Sequence, residues 1–358
     1  SLLWPLCLSG NGKEDIPEVR QHMSELGSLL ALKQPPTLAE VRRVLAPSLD
    51  DWRRSPRLAT VILNGLAKKK CPVIAMQVLQ CMQAGHAEVN VFHCNTVINA
   101  CGKGTRWQCA LGLLDSMASV RVRPDIFSCN SAISACEKGA QWQRALALLS
   151  YMPKLQLTPD VFSCNSAISA CEKGRQWALA LGLLRRARGA VLHPDVVMYS
   201  AAMSACEKVQ LWGRVLWLLA CVKRGGLFPD TIMYSAAISA CEHSQEWETA
   251  LSLLIELQAR GLAPTLITYN ASLSACEKAR RWELALELLE RALGRALRPD
   301  VVTCTAAISA CGAGLQWKAC LALAEAMRLA AVVPNAVAAG VLAAVGERSG
   351  CHWPRRGG

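Results

Sequence analysis

The sequence predicts an all-α fold, a solenoid of antiparallel helix pairs, and three observations predict it. Tryptophan recurs at 107, 142, 177, 212, 247, 282 and 317. Cysteine recurs at 101, 136, 171, 206, 241, 276 and 311, so both columns keep a period of 35 residues. Each period also holds two runs of helical spacing: Cys129, Ala132, Ile133 and Cys136, then Trp142, Ala145, Leu146, Leu149 and Met152. A unit of this size cannot bury its own apolar face and must stack on a neighbour.

Taken in order, residues 1–20 carry no assignment. Residues 1–8 have neither the initiator methionine nor the basic n-region of a signal peptide. Residues 21–55 read as a degenerate repeat or N-terminal cap. Helical spacing occurs there twice, Pro35-Pro36 divides the two stretches, and Thr37 with Glu40 forms a capping box. Residues 56–90 are a weaker copy in which Pro72 stands where the tryptophan belongs. Residues 91–335 hold seven full repeats, 336–347 one capping helix, and 348–358 a tail expected to be disordered.

Within the repeat starting at Ile126, counted as position 1, Asp125 is the candidate N-cap of the first helix. Gly139 is the expected break at its end, and Pro159 closes the unit. Small Ala132 and Ala145 let the two backbones approach. Trp142 is expected to span the gap, and truncating a fully buried tryptophan costs about 3–5 kcal/mol. Tyr199, Tyr234 and Tyr269 replace Cys129 in later copies, a change of size at a packing position.

The 18 cysteines sit mostly in apolar runs at the repeat period, without any C-x-x-C pair. They read as small buried hydrophobes in a reducing compartment, with neither a disulfide framework nor a metal site. No run of 18 apolar residues is long enough to cross a bilayer. The 52% hydrophobic content suits a continuous core, and the net charge of +12 suits a polyanionic partner.

A second stripe lies on the other face of the first helix. Position 2 is apolar in all seven copies: Phe92, Phe127, Phe162, Val197, Ile232, Ile267 and Val302. Position 5 is short and polar: Asn95, Asn130, Asn165, Ser200, Ser235, Asn270 and Thr305. Position 13 is basic at Lys103, Lys138, Lys173, Lys208 and Lys278, with His243 a sixth member. An apolar wedge, an amide or hydroxyl and a cation in register suit a base, its polar edge and its phosphate. The same stripe is open to a peptide or protein partner.

These residues bear a family likeness. Ile267, Tyr269, Asn270, Leu273, Ala275 and Lys278, then Ala285 and Leu288, then Pro299-Asp300 follow the pattern V-x-x-Y-N-x-L-I-x-A-x-x-K, A-L-x-L and P-D. The chain resembles the pentatricopeptide repeat family, strongly over 91–335 and weakly over 56–90. The recurring Asn-Ser-Ala-Ile-Ser-Ala-Cys-Glu-Lys is similar to expanded copies in dinoflagellate algae. The resemblance implies a right-handed α-solenoid that binds single-stranded RNA in mitochondria or chloroplasts, one base per repeat. It also implies that position 5 and the last residue of each repeat select the base, and that position 2 stacks on bases.

Carried over by position, Asn95 with Asp125, Asn130 with Asp160, Asn165 with Asp195 and Asn270 with Asp300 resemble uracil readers. Ser200 with Asp230 resembles a guanine reader. Thr305 with Asn335 resembles an adenine reader, as does Thr60 with Asn90 in the weaker copy. Ser235 with Thr265 departs from the usual pairs. The implied site is A-U-U-U-G-N-U-A. The glycine expected before the closing proline is often missing, as in the stretch before Pro159. No H-x-E with C-x-x-C stands in the tail to hold zinc. Glu137, Glu172, Glu207, Glu242 and Glu277 repeat with the fold and lack a unique partner, so no enzyme, cofactor or metal is expected. The sequence therefore reads as a monomeric RNA-binding adaptor that recruits protein factors, or alternatively as a protein-binding scaffold without RNA readout.

Overall fold

The computed structural model describes residues 17–32, 35–189, 192–244, 246–329 and 332–349, and every element among them is a helix. The expected tail from 350 onward and most of the unassigned start lie outside the described residues. The chain divides into two units. The first holds α1 (Pro17–Ala31), α2 (Leu38–Leu45), α3 (Leu49–Arg54), α4 (Arg57–Lys68), α5 (Pro72–Ala84), α6 (Val91–Lys103), α7 (Trp107–Ser116), α8 (Ile126–Lys138), α9 (Trp142–Tyr151) and α10 (Val161–Lys173). Helix α11 (Trp177–Gly189) is divided between the units. The second holds α12 (Val196–Glu207), α13 (Trp212–Arg224), α14 (Thr231–His243), α15 (Trp247–Ala259), α16 (Leu266–Lys278), α17 (Trp282–Gly294), α18 (Val301–Ala313), α19 (Trp317–Leu329) and α20 (Ala336–Ser349).

Each unit is a helix-pair solenoid of the all-α kind the period predicts. In the first, α4, α6, α8 and α10 lie side by side in that order, with α5, α7 and α9 packed behind. In the second, α12, α14, α16, α18 and α20 form the same succession. Helix α1 packs on α4 and α2 on α5, so 21–55 extends the stack. Spacing predicts two helices in that stretch; the structure adds α3, whose Trp52 is fully buried.

Local chemistry starts and stops these helices. Asp125 and Asp160 sit in extended conformation and accept the Ser128 and Ser163 backbone N–H at 2.8 Å, while each serine hydroxyl accepts the aspartate N–H at 3.2 Å. These are capping boxes with a hydroxyl in the usual glutamate place. The Thr37–Glu40 box is present as well. The predicted stripe Cys129, Ala132, Ile133 and Cys136 is fully shielded from water. Burial pushes the Cys136, Cys171 and Cys206 thiols up to about 11.

Helix α8 ends at Lys138 with Gly139 as its C-cap, the break the sequence predicts; Gly139 has φ −83° and Ala140 after it takes φ 54°. The glycine is needed for space, because an added Cβ at Gly139 would lie 2.4 Å from Trp107 Cδ1. Gly174 meets Trp142 and Gly314 meets Trp282 in the same way, at 2.3 Å, and Gly104 meets Pro72 at 2.8 Å. The tryptophan, or the proline in the weak repeat, thus docks on the end of the next repeat's first helix. The tryptophan column is only partly buried. Trp142 is half-buried, while Trp212 and Trp317 are 39% and 41% exposed, because the ring lies across the junction of two repeats at the surface.

Candidate nucleic-acid interface

The seven position-2 side chains are all exposed, although all are large and apolar. Phe92 is 75% exposed, and even Phe162 and Val302 reach 55%. Their helices bury the opposite stripe, so helical geometry forces position 2 outward. Leaving such surface in water at every repeat forgoes burial worth about 25 cal/mol per Å². A column of exposed apolar groups at one period differs from the single scattered ones usual on a protein surface.

Beside it, position 5 joins the N-cap of the following helix. Asn95 Nδ2 donates to Asp125 Oδ1 at 3.1 Å, and Asn130 Nδ2 donates to both Asp160 oxygens at 3.2 Å. In the second unit Asn270 Nδ2 donates to Asp300 at 3.3 Å. The two residues expected to select each base are therefore hydrogen-bonded to one another, 30 residues apart in sequence. Burial alone would push the Asp300 carboxyl up. Hydrogen bonds from the Thr303 backbone and hydroxyl and from Asn270 outweigh it and hold it below the usual range.

A third member was not foreseen from the sequence. The Ser128 hydroxyl donates to Asn95 Oδ1 at 2.6 Å, Ser163 to Asn130 Oδ1 at 2.5 Å and Thr303 to Asn270 Oδ1 at 2.6 Å. Its signal was available as a serine or threonine at position 3, but that residue reads as a local capping partner. Ser235 takes part differently: its Oγ lies 3.0 Å from Thr268 Oγ1, which lies 2.9 Å from Thr265 Oγ1.

The expected pairs Thr305–Asn335, Ser200–Asp230 and Thr60–Asn90 are not joined. Thr305 turns its hydroxyl back to Val301 O at 2.6 Å, while Asn335 accepts the Ala338 N–H at 2.9 Å. Asp230 caps α14 through Met233 N at 2.9 Å and Asp195 caps α12 through Met198 N at 2.8 Å. Asn90 caps α6 through His93 N at 3.1 Å, and Thr60 is half-buried on α4. His93 fills position 3 there, but its Nε2 lies 2.9 Å from Pro56 O and burial lowers its pKa. Asn165 and Ser200 are half-buried, like Asn95, Ser235, Asn270 and Thr305. Asn130 is the exception at 6% exposure, pressed between its two partners.

The lysine column is exposed at Lys103, Lys138, Lys173, Lys208 and Lys278. Lys173 pairs with Glu137 of the preceding repeat at 2.9 Å, and Lys278 with Glu242 at 3.0 Å. Before Lys138 the matching residue is Gly102, so no carboxylate opposes it. No group of described residues is arranged to hold a metal ion. No helix among them is long and apolar enough to cross a membrane.

Three family models match: pentatricopeptide repeat-containing protein over residues 58–187, pentatricopeptide repeat domain over 217–279 and PPR repeat over 267–295. Together they take in more than half of the chain. It belongs to the pentatricopeptide repeat family. Among curated proteins no sequence matches it. Among solved structures, pentatricopeptide repeat protein PPR10 in complex with an 18-nt psaJ RNA element superimposes with a TM-score of 0.69 at 16% identity, over 91% of this chain and 48% of that one. PPR10 from maize gives 0.63 at 20% identity, over 92% and 46%. The chain thus spans about half the length of these pentatricopeptide repeat structures, and at such identity the likeness is one of fold.

Proposed function

We propose that this chain is a sequence-selective single-stranded-RNA-binding protein that acts in organellar RNA processing, stability or translation by occupancy and recruitment. The observation that carries this is the exposed position-2 column beside a hydrogen-bonded position 5 and N-cap pair, repeated at one spacing. Stacking on the exposed Phe92, Phe127 and Phe162 is worth about 1–3 kcal/mol per base. Position 5 with the last residue reads the base edge, and the lysines hold phosphate. Pentatricopeptide membership supports the reading, as does the resemblance in fold to PPR10, whose structure holds RNA. We assign 91–335 to seven reading repeats, 56–90 to a degenerate one, 21–55 to a degenerate repeat or N-terminal cap and 336–347 to a capping helix. Mitochondrion or chloroplast is the proposed site of action, and the recurring Asn-Ser-Ala-Ile-Ser-Ala-Cys-Glu-Lys supports a place among organellar members such as those of dinoflagellate algae. The chain works as a monomer, without cofactor or intrinsic catalysis.

Selection from a random single-stranded RNA pool tests this, with A-U-U-U-G-N-U-A the expected consensus. Asn130→Ser should change which base is preferred at one place and leave the others. Lys138→Ala should weaken all RNAs alike and lower the slope of log K against log salt by about 0.7. A protein-binding scaffold would enrich no RNA and show no such slope, and that outcome would overturn the proposal.

A further inference from the structure

We propose that the position-3 hydroxyl of the following repeat is a positioning residue for base selection: Ser128, Ser163 and Thr303 hold the carboxamides of Asn95, Asn130 and Asn270 in one sense. This rests on the RNA-reading function above and adds a determinant outside position 5 and the N-cap.

An asparagine amide can be turned over, which exchanges its acceptor for its donors. At Asn95, Asp125 takes the Nδ2 end at 3.1 Å and Ser128 gives its proton to the Oδ1 end at 2.6 Å. Asp125 Oδ1, 2.9 Å from the same hydroxyl, already receives the Ser128 N–H at 2.8 Å and the amide. The hydroxyl accepts the Asp125 N–H at 3.2 Å, and of its two acceptors the carboxamide oxygen at 2.6 Å is nearer than the carboxylate at 2.9 Å and can be met only by its proton. Every donor then has one acceptor. Turned over, the amide would set Oδ1 against a carboxylate. Asn130 with Asp160 and Ser163, and Asn270 with Asp300 and Thr303, repeat the arrangement. One end held leaves the amide free to pivot; both ends held leave one N–H and one lone pair facing out at a set angle. Such preorganisation sharpens discrimination more than it raises affinity.

The chain carries its own comparison. Asn130 and Asn165 sit in near-identical repeats, and each is followed 30 residues later by aspartate. At position 3 of the next repeat Asn130 has Ser163, whereas Asn165 has Met198, which has no O–H to give. Ser200 likewise precedes Met233. Selectivity is therefore highest at the nucleotides facing Asn95, Asn130 and Asn270.

The test uses the full chain, the best RNA from the random pool and its single-base variants. The ratio of affinities for the preferred and next-best base is measured at the nucleotides facing Asn95, Asn130 and Asn270. Ser163→Ala should lower the Asn130 ratio roughly two- to tenfold, the worth of one neutral hydrogen bond, and leave the other ratios alone. Ser163→Thr should restore it. Thr303→Val against Thr303→Ser repeats the comparison in the second unit. Melting is followed in parallel, because Ser163 also belongs to a capping box. A lower melting temperature with an unchanged ratio means capping only, and overturns the inference. If Asn130→Ser alters base choice while Ser163→Ala does not, the inference fails and the RNA-reading function stands. If neither alters it, the RNA-reading function fails.

Discussion

Replacing Asp160 by alanine removes two interactions at once, and their sizes can be separated. The carboxylate accepts the Ser163 N–H at 2.8 Å, and losing an N-cap costs about 0.5–2 kcal/mol. It also accepts the amide of Asn130, a side chain only 6% exposed. A buried donor left without an acceptor costs about 1–3 kcal/mol more. Asp160→Ala should therefore destabilise by roughly 1.5–5 kcal/mol, the capping and burial losses taken together. Asp230 caps Met233 N at 2.9 Å but follows Ser200, which has no amide to strand, so Asp230→Ala should lose only the capping part, about 0.5–2 kcal/mol. Asp160→Asn keeps an oxygen for the cap and should fall below either loss. Urea unfolding followed by circular dichroism, with hydrogen exchange at Ser163 and Met233 to localise the effect, measures all three. Equal losses for Asp160→Ala and Asp230→Ala would refute the idea that the aspartate–asparagine bond contributes anything beyond capping.

Gly174→Ala would place a Cβ 2.3 Å from Trp142 Cδ1 and should cost about 1–3 kcal/mol by overpacking, whereas Gly182→Ala, with nothing within 4 Å, should cost nothing. Val209, Ser244 and Ala279 take the glycine's place in three repeats, and beside Ala279 the Arg281 guanidinium stacks over Trp247 at 4.8 Å. Native alkylation at pH 8 should spare Cys136, Cys171 and Cys206, held by burial at about 11, while half-exposed Cys71 and Cys221 react first; mass spectrometry reads the order. Asp300 titrates below its ordinary value, so its contribution is full above the unfolded pKa near 3.9 and is lost as pH falls through the lower folded value. Acid unfolding should be less steep below pH ~4 in Asp300→Asn, and an unchanged profile would remove Asp300 from the account.

Much of the fold was legible because it is local and repeated. Helical spacing, an aspartate, asparagine or threonine cap before each first helix and a proline after each second one act within a few residues, and seven copies average out the noise of one. The exposed position-2 column followed directly, since burying Cys129, Ala132 and Ile133 turns Phe127 outward. Helix α3 was missed because six residues hold too little periodicity, although Trp52 anchors it.

What the sequence determined alone is the period, the helix pairs and the side of each first helix that faces water, because a helix's own geometry relates neighbours three and four apart. Tertiary structure decided which residues meet across the period: Trp142 on Gly174, Lys173 on Glu137, and Asn130 between Asp160 and Ser163. Those partners lie 30 to 36 residues away. Only stacking one repeat on the next brings them within a hydrogen bond's length.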